Sequence, residues 1–153
     1  MIEMFKGIFR SFGYAFQGIF RTIREERNFR IHIVAVFLVT WFAFLYEVTW
    51  GQAVVLVILF GMVLSLELMN TAVEHAVDLA ISERHPLAKK AKDASAGGVL
   101  VGAIVSVIVA VLTFRDPAHW SFVLQKITTP IGIISLVIFV ILALFFVRGK
   151  NRK

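Results

Sequence analysis

The sequence contains no cysteine and few charged residues. Without cysteine, the chain has no disulfide framework, no zinc–thiolate cluster and no thiol-based catalytic site. Charged residues make up only 17% of the 153 residues, whereas about 25% is typical of soluble domains. Hydrophobic residues make up 59%, against roughly 45–50% in soluble domains. The composition therefore predicts an integral membrane protein.

The charge that remains is mostly basic and gives a formal net charge of +6. The basic residues lie at the ends of apolar segments, where they contact anionic lipid and set the orientation of the chain in the membrane. This distribution favours a membrane partner, and we expect no nucleic-acid partner.

Residues 1–30 have the pattern of an amphipathic helix, because large apolar side chains recur every three or four residues. Such a helix, rich in phenylalanine and basic residues, is expected to lie in the bilayer interface, to pack on the helical bundle, or both. The apolar side chains are Phe5, Phe9, Phe12, Phe16, Ile19, Phe20 and Ile23.

Four longer apolar segments follow, and each has about the 20 residues that cross a hydrocarbon core of roughly 30 Å. The helical pattern of the second continues to about Ile81, and Pro86 suits the first turn of a new helix. We expect a polar loop over residues 115–129 and a basic tail after the last segment. The predicted fold is all-α, with spans at about 31–50, 52–72, 95–114 and 131–147.

Lysine and arginine are distributed unequally between the connecting segments. There are six in residues 1–30, four in 82–93 and four after 147, but none in 48–51 and two in 115–129. By the positive-inside rule, the N-terminus, the 82–93 segment and the C-terminus are predicted to be cytoplasmic. We therefore expect a multi-pass membrane protein with both termini inside the cell.

The stretch "LSLELMNTAVEHAVDLA" places polar residues at the cytoplasmic end of the second span. They are Glu67, Asn70, Glu74 and Asp78. At about 100° per residue, all four fall within about 80° of one another, so they form one stripe. At 1.5 Å per residue, Glu67 lies roughly 8 Å inside the membrane boundary. An ionisable group at that depth indicates a functional site, although a carboxylate paired with a neighbouring helix is a structural alternative.

Carboxylates and an amide at a membrane boundary suit Mg²⁺, which one or two carboxylates and substrate phosphates usually hold. Lys92 and Asp93 lie nearby, and so do Glu25 and Glu26, of which only one should face the site. A metal, a lysine and a base together indicate phosphoryl transfer. The sequence has no Walker A loop, no Gly-rich kinase loop and no HRD or DFG motif, which excludes the soluble kinase classes.

The segments "ELMNTAVEHAVD" and "ERHPLAKKAKDASAGGVL" resemble the prokaryotic diacylglycerol kinase and undecaprenol kinase family of small integral membrane lipid kinases. The resemblance covers about residues 11–114 and includes "GYAFQG" and "ERNFRIH". It implies a membrane lipid kinase domain over residues 1–114, Mg²⁺ and ATP as cofactor and co-substrate, and a homotrimer with active sites shared between protomers.

The resemblance also implies roles for individual residues. Glu67 matches the catalytic base that acts on the lipid hydroxyl, and Asn70 matches a polar active-site residue. Glu26 and Glu74 match the carboxylates that hold the metal and contact ATP, and Lys92 matches a lysine that contacts phosphate. The other expected ATP contacts are Tyr14, Asp78, Glu83, Arg84, His85 and Asp93.

Residues 115–153 depart from the family pattern, because family members usually end soon after the third span. The additional loop, fourth span and basic tail return the C-terminus to the cytoplasm. The fourth span has no charged residue, so we expect it to pack outside the trimer or to shield the lipid site, or to change the oligomeric arrangement.

The family motifs have the forms "NTA" and "HPLAKKAKD" in this sequence, and these resemble undecaprenol kinases more than diacylglycerol kinases. The resemblance therefore favours undecaprenol as the acceptor, with diacylglycerol as the alternative. A small ion- or proton-conducting protein is an interpretation from another class. That interpretation requires charges at several depths, whereas the acidic groups of the second span stop at one boundary.

Overall fold

The computed structural model of the chain describes residues 2–81, 83 and 85–149, with side chains from residue 5 onward. The described part is built from helices and contains no strand. Four of the helices are long and apolar enough to cross a membrane, which confirms the predicted all-α membrane fold. The helices are α1 (Ile2–Glu25), α2 (Arg27–Tyr46), α3 (Trp50–Ala80), α4 (Pro86–Thr113), α5 (Pro117–Ile127) and α6 (Pro130–Val147).

Helix α1 presents an unpartnered aromatic face. The side chains of Phe5, Phe9, Phe12, Phe16 and Phe20 are all more than half exposed, which suits a helix whose apolar face lies in the bilayer interface. The helix ends at Glu25 and not at residue 30 as expected. Glu26 interrupts it with an extended backbone conformation, and α2 begins at the next residue.

Helices α3 and α4 form the most extensive contact between elements, and α2 packs against α3. Leu56, Leu59 and Val63 of α3 and Val99 of α4 are buried there. Gly102 allows the close approach, because a Cβ atom at that position would lie 2.8 Å from Cδ1 of Leu66. Small residues are the usual means of bringing membrane helices together.

Residues 117–127 form helix α5, so the expectation of a loop is wrong for this segment. Asp116 caps the helix by accepting a hydrogen bond of 3.0 Å from the backbone N–H of Ala118, and Pro117 occupies its first turn. The Tyr46 hydroxyl accepts from the Asp116 N–H and donates to the Asp116 carbonyl. These bonds fix the start of α5 to the end of α2.

The fourth span, α6, packs against α2 and α5. Among the described residues, it makes no contact with α3 or α4. The additional C-terminal hairpin therefore lies on the side of α2, away from the α3–α4 pair. This position separates it from the polar stripe on α3.

Candidate active site

The polar stripe on α3 is graded in exposure. Glu67 is 3% exposed and Asn70 is 8% exposed, although both are polar. One turn further, Glu74 is half-buried, and Asp78 is exposed. These residues lie on one face of α3, so exposure to solvent increases along that face over three turns, from the buried Glu67 to the exposed Asp78.

Asn70 connects the stripe through its side-chain amide. Its Nδ2 donates a hydrogen bond of 3.0 Å to Oε1 of Glu74. Its Oδ1 is buried and accepts no hydrogen bond from the described part of the chain. A buried acceptor without a partner is costly, so this oxygen is well suited to receive a hydrogen bond or a cation from a bound substrate.

Glu26 comes close to the same stripe from the α1–α2 junction. The break in the helix leaves Glu26 extended, with φ −101° and ψ 116°, and its side chain does not cap α2. Glu26 and Glu74 are both near enough to act electrostatically on Glu67. Glu25 instead lines a crevice beside α6. The two adjacent carboxylates therefore have different surroundings.

A polar crevice of about 630 Å³ lies where α3 ends and α4 begins. Lys92 forms an ion pair of 2.5 Å with Asp78, and Lys89 forms one of 2.6 Å with Asp93. These groups are exposed or half-exposed, so they are accessible to a charged ligand from water. Predicted ATP contacts lining the crevice are Asp78, Glu83, His85, Lys92 and Asp93.

Two further predicted ATP contacts are not among the described residues that line the polar crevice. His85, which lines the crevice, also has a structural role, because it is the N-cap of α4 and its Nδ1 accepts from the Leu87 N–H at 3.2 Å. Tyr14 is 64% exposed on α1 and is not among the residues that line the polar crevice. Arg84 lies outside the described residues.

The donor set fits Mg²⁺ shared with phosphate better than a metal held by protein alone. Within the described ranges, no cluster of three or more histidine, aspartate or glutamate side chains could hold a metal ion. Mg²⁺ commonly uses one or two carboxylates and takes its other ligands from water and phosphates. Glu26 and Glu74 would supply the two carboxylates, and the neighbouring Asn70 carries an Oδ1 atom that accepts no hydrogen bond from the described residues.

An apolar cavity of about 180 Å³ lies between α2, α3 and α4. Its α3 wall includes Val63, which is one helical turn from Glu67 on the same face. His32 of α2 and Ser106 of α4 are its polar lining residues. The buried carboxylate thus lies one helical turn from the wall of a hydrocarbon-lined space between three of the candidate spans.

Arg30 is a structural residue that the sequence analysis missed. It is 3% exposed, and its Nη1 donates bonds of 3.0 Å to the carbonyls of Ile23 and Arg24 at the end of α1. Its Nη2 donates to Val147 and Gly149 at the end of α6, at 3.4 and 3.1 Å. The signal in the sequence was weak, because Arg30 directly precedes the predicted span and Arg27 lies three residues before it.

Residues 13–114 match the family described as Prokaryotic diacylglycerol kinase. The chain is 47% identical over 106 residues to an undecaprenol kinase from Bacillus subtilis, which covers 69% of this chain and 86% of that protein. It is 43% identical over 100 residues to a diacylglycerol kinase from Synechocystis, covering 65% of this chain and 57% of the relative.

A diacylglycerol kinase from Escherichia coli K12 is 35% identical over 104 residues, which cover 68% of this chain and 85% of that protein. No solved structure matches the chain significantly. The matched family region contains the α3 stripe, Glu26, Lys92 and Asp93, and it ends at Phe114 before the C-terminal hairpin. The chain therefore belongs to the prokaryotic diacylglycerol kinase family.

Proposed function

We propose that the protein transfers the γ-phosphoryl group of ATP to the hydroxyl group of undecaprenol at the cytoplasmic membrane. The observation that carries this proposal is the buried Glu67, which feels the charges of Glu26 and Glu74. On α3 it lies one turn from the wall of the apolar cavity and three turns from Asp78 in the polar crevice. A lipid alcohol reaches Glu67 from the bilayer, and ATP reaches the crevice from water.

In the proposed reaction, Glu67 accepts the proton of the lipid hydroxyl while the oxygen attacks the γ-phosphorus. The bond between the γ-phosphorus and the β,γ-bridging oxygen breaks, and ADP leaves. Lys92 contacts the phosphates and offsets their negative charge. Glu26 and Glu74 would hold Mg²⁺, which neutralises phosphate charge when bound. Catalysis of this kind rests mainly on positioning and electrostatics.

Undecaprenol is favoured as the acceptor by the 47% identity to the undecaprenol kinase. The apolar cavity of about 180 Å³ is only slightly larger than an engineered cavity of about 150 Å³ that binds benzene. It would therefore hold a short hydrocarbon segment of either lipid, and the identity alone favours undecaprenol. Diacylglycerol is the second candidate, supported by the relatives with 43% and 35% identity.

The experiment that tests the acceptor uses purified full-length protein in micelles with labelled ATP and Mg²⁺. Undecaprenol and diacylglycerol are offered separately at matched surface concentrations. We expect a higher kcat/KM with undecaprenol. A higher kcat/KM with diacylglycerol would identify diacylglycerol as the acceptor instead. If neither substrate yields labelled lipid, the proposed lipid phosphorylation is refuted.

Glu67→Gln tests the proposed base. The amide keeps the size of the side chain but cannot accept the hydroxyl proton, so kcat should fall by about 10²–10⁴-fold. ATP binding, measured by equilibrium titration, should change little because Glu67 lies away from the polar crevice. Glu25→Gln is the control and should retain turnover. Normal turnover of Glu67→Gln would disprove the role of base.

We also propose a homotrimer with the N- and C-termini in the cytoplasm, from the family resemblance and the distribution of basic residues. Cross-linking in membranes, followed by counting the subunits of the largest product, tests the assembly. An ion-conducting function is less well supported, since the described carboxylates on α3 are confined to its second half.

A further inference from the structure

The junction at Arg30 leaves an open crevice between the surface helix and the fourth span. Helices α1 and α6 both end at the Arg30 guanidinium, each through two carbonyl groups. In the described part of the chain, however, the two helices do not pack against each other. A space of about 930 Å³ separates them, lined by residues of both helices and by Arg30.

The two walls of this crevice differ in chemistry. The α1 wall carries the exposed guanidinium groups of Arg21 and Arg24. The α6 wall carries Phe145 and Phe146, which are 83% and 37% exposed. Among the described residues that line the space, Glu25 is the acidic one. The crevice therefore combines a positive wall with an aromatic wall.

The crevice lies at the depth where a bilayer changes from hydrocarbon to headgroups. Phe20 of α1 lines it and also belongs to the aromatic face that suits the bilayer interface. Helix α6, which has no charged residue, ends at Val147 beside the same space. A gap between an interfacial helix and a membrane span is filled by lipid when no protein occupies it, and basic pockets at this level bind phosphate headgroups.

We propose that this crevice is a binding site for one anionic phospholipid. Its phosphate is held by Arg21 and Arg24, and an acyl chain lies along Phe145 and Phe146. Arg30 contributes little to recognition, because its terminal nitrogens already donate to backbone carbonyls. The lipid fills the space between α1 and α6 and so stabilises the surface helix against the fourth span. This site is separate from the proposed reaction at Glu67.

Phosphatidylglycerol in phosphatidylcholine nanodiscs is the probe. The measured quantities are the phosphatidylglycerol retained on the full-length protein, by native mass spectrometry, and its apparent affinity by titration. An arginine near the membrane surface contributes about fivefold in affinity for anionic lipid. Arg21→Ala and Arg24→Ala should therefore each weaken binding by about fivefold, and the double variant by more.

Arg10→Ala is the matched control, because Arg10 is an exposed arginine of α1 that does not line the crevice. It should retain phosphatidylglycerol as the unmodified protein does. Equal losses in the Arg10→Ala and Arg24→Ala variants would mean diffuse attraction and would overturn the site. Retention in all variants would overturn it as well. Arg24→Lys should restore most of the binding.

Two further measurements distinguish the occupant. Free glycerol 3-phosphate at the same concentration should not displace the lipid, and efficient displacement would identify a soluble-anion site instead. The chain has no cysteine, so any disulfide or thiol cross-link must involve the introduced cysteines. Cross-linking between copies with Gln17→Cys and copies with Phe145→Cys would show a second copy in the crevice and would refute lipid binding. None of these readouts depends on lipid kinase activity.

Discussion

Glu25 and Glu26 are adjacent in the chain but have different surroundings, which makes them a matched pair of variants. Glu26 acts electrostatically on Glu67, whereas Glu25 lines the crevice beside α6. Loss of an outer-shell partner already lowers metal affinity by roughly 10–100-fold, and loss of a ligand should lower it at least as much.

We therefore predict that Glu26→Gln increases the Mg²⁺ concentration needed for half-maximal activity by at least about tenfold. Glu25→Gln should leave it nearly unchanged. Initial rates across a Mg²⁺ titration at fixed ATP provide the measurement. The opposite ranking of the two variants would assign the metal to Glu25.

Lys92 and Lys89 each form an ion pair with an aspartate, but only Lys92 is predicted to contact phosphate. A hydrogen bond to a charged group contributes about 1.5–3 kcal/mol, so Lys92→Met should lower kcat/KM for ATP by roughly 10–100-fold. Lys89→Met should change it far less. Exposed ion pairs contribute about 0–1 kcal/mol to stability, so thermal unfolding should be similar in both variants. A large loss of Tm in Lys92→Met would indicate a structural role.

At the scale of helices, the close contact of α3 and α4 depends on Gly102. Gly102→Ala would place Cβ 2.8 Å from Cδ1 of Leu66, the end of a flexible side chain that has to move aside. This repacking opposes the gain of up to about 1 kcal/mol from replacing glycine by alanine in a helix. Gly98→Ala meets no atom within 4 Å and keeps that gain. We therefore predict a higher Tm for Gly98→Ala than for Gly102→Ala. A Tm of Gly102→Ala equal to or above that of Gly98→Ala would contradict the packing.

The spans were predictable because each is a long apolar segment, and the signal is local. The two errors concern short-range details that composition hides. No proline or glycine in the sequence marks the break between α1 and α2. The guanidinium of Arg30 donates hydrogen bonds to the carbonyls at the end of α1. Helix α5 is too short and mixed in composition for a span, although Asp116 followed by Pro117 was a usable start signal.

The polar stripe was predictable because helical spacing alone places its members on one face. The Lys92–Asp78 ion pair could also have been predicted from the sequence, because only a short connection joins α3 to α4. The bond between Asn70 and Glu74 and the isolation of the Asn70 oxygen depend on side-chain conformations. The contact of Arg30 with α6 depends on residues far away in the chain, which no local pattern specifies.

For the whole molecule, the four spans predict that the α3–α4 connection and α5 lie on opposite sides of the membrane. Lys90→Cys and Ser121→Cys place single thiols at these two exposed positions in a chain without cysteine. In intact cells, a membrane-impermeant thiol reagent should label Ser121→Cys but should label Lys90→Cys only after lysis. The reverse labelling pattern would show that the protein has the opposite orientation in the membrane.

The fork of hydrogen bonds from Arg30 also has a consequence for biosynthesis. Two of its carbonyl acceptors, in Val147 and Gly149, follow Arg30 by 117 and 119 residues. The ribosome therefore makes the arginine long before these acceptors exist, and a buried guanidinium is unfavourable until its donors are satisfied. The bonds of Arg30 to Ile23 and Arg24 can form early, but those to α6 form only after the last span has inserted. Synthesis of the last span thus becomes a condition for the final hydrogen bonding of Arg30.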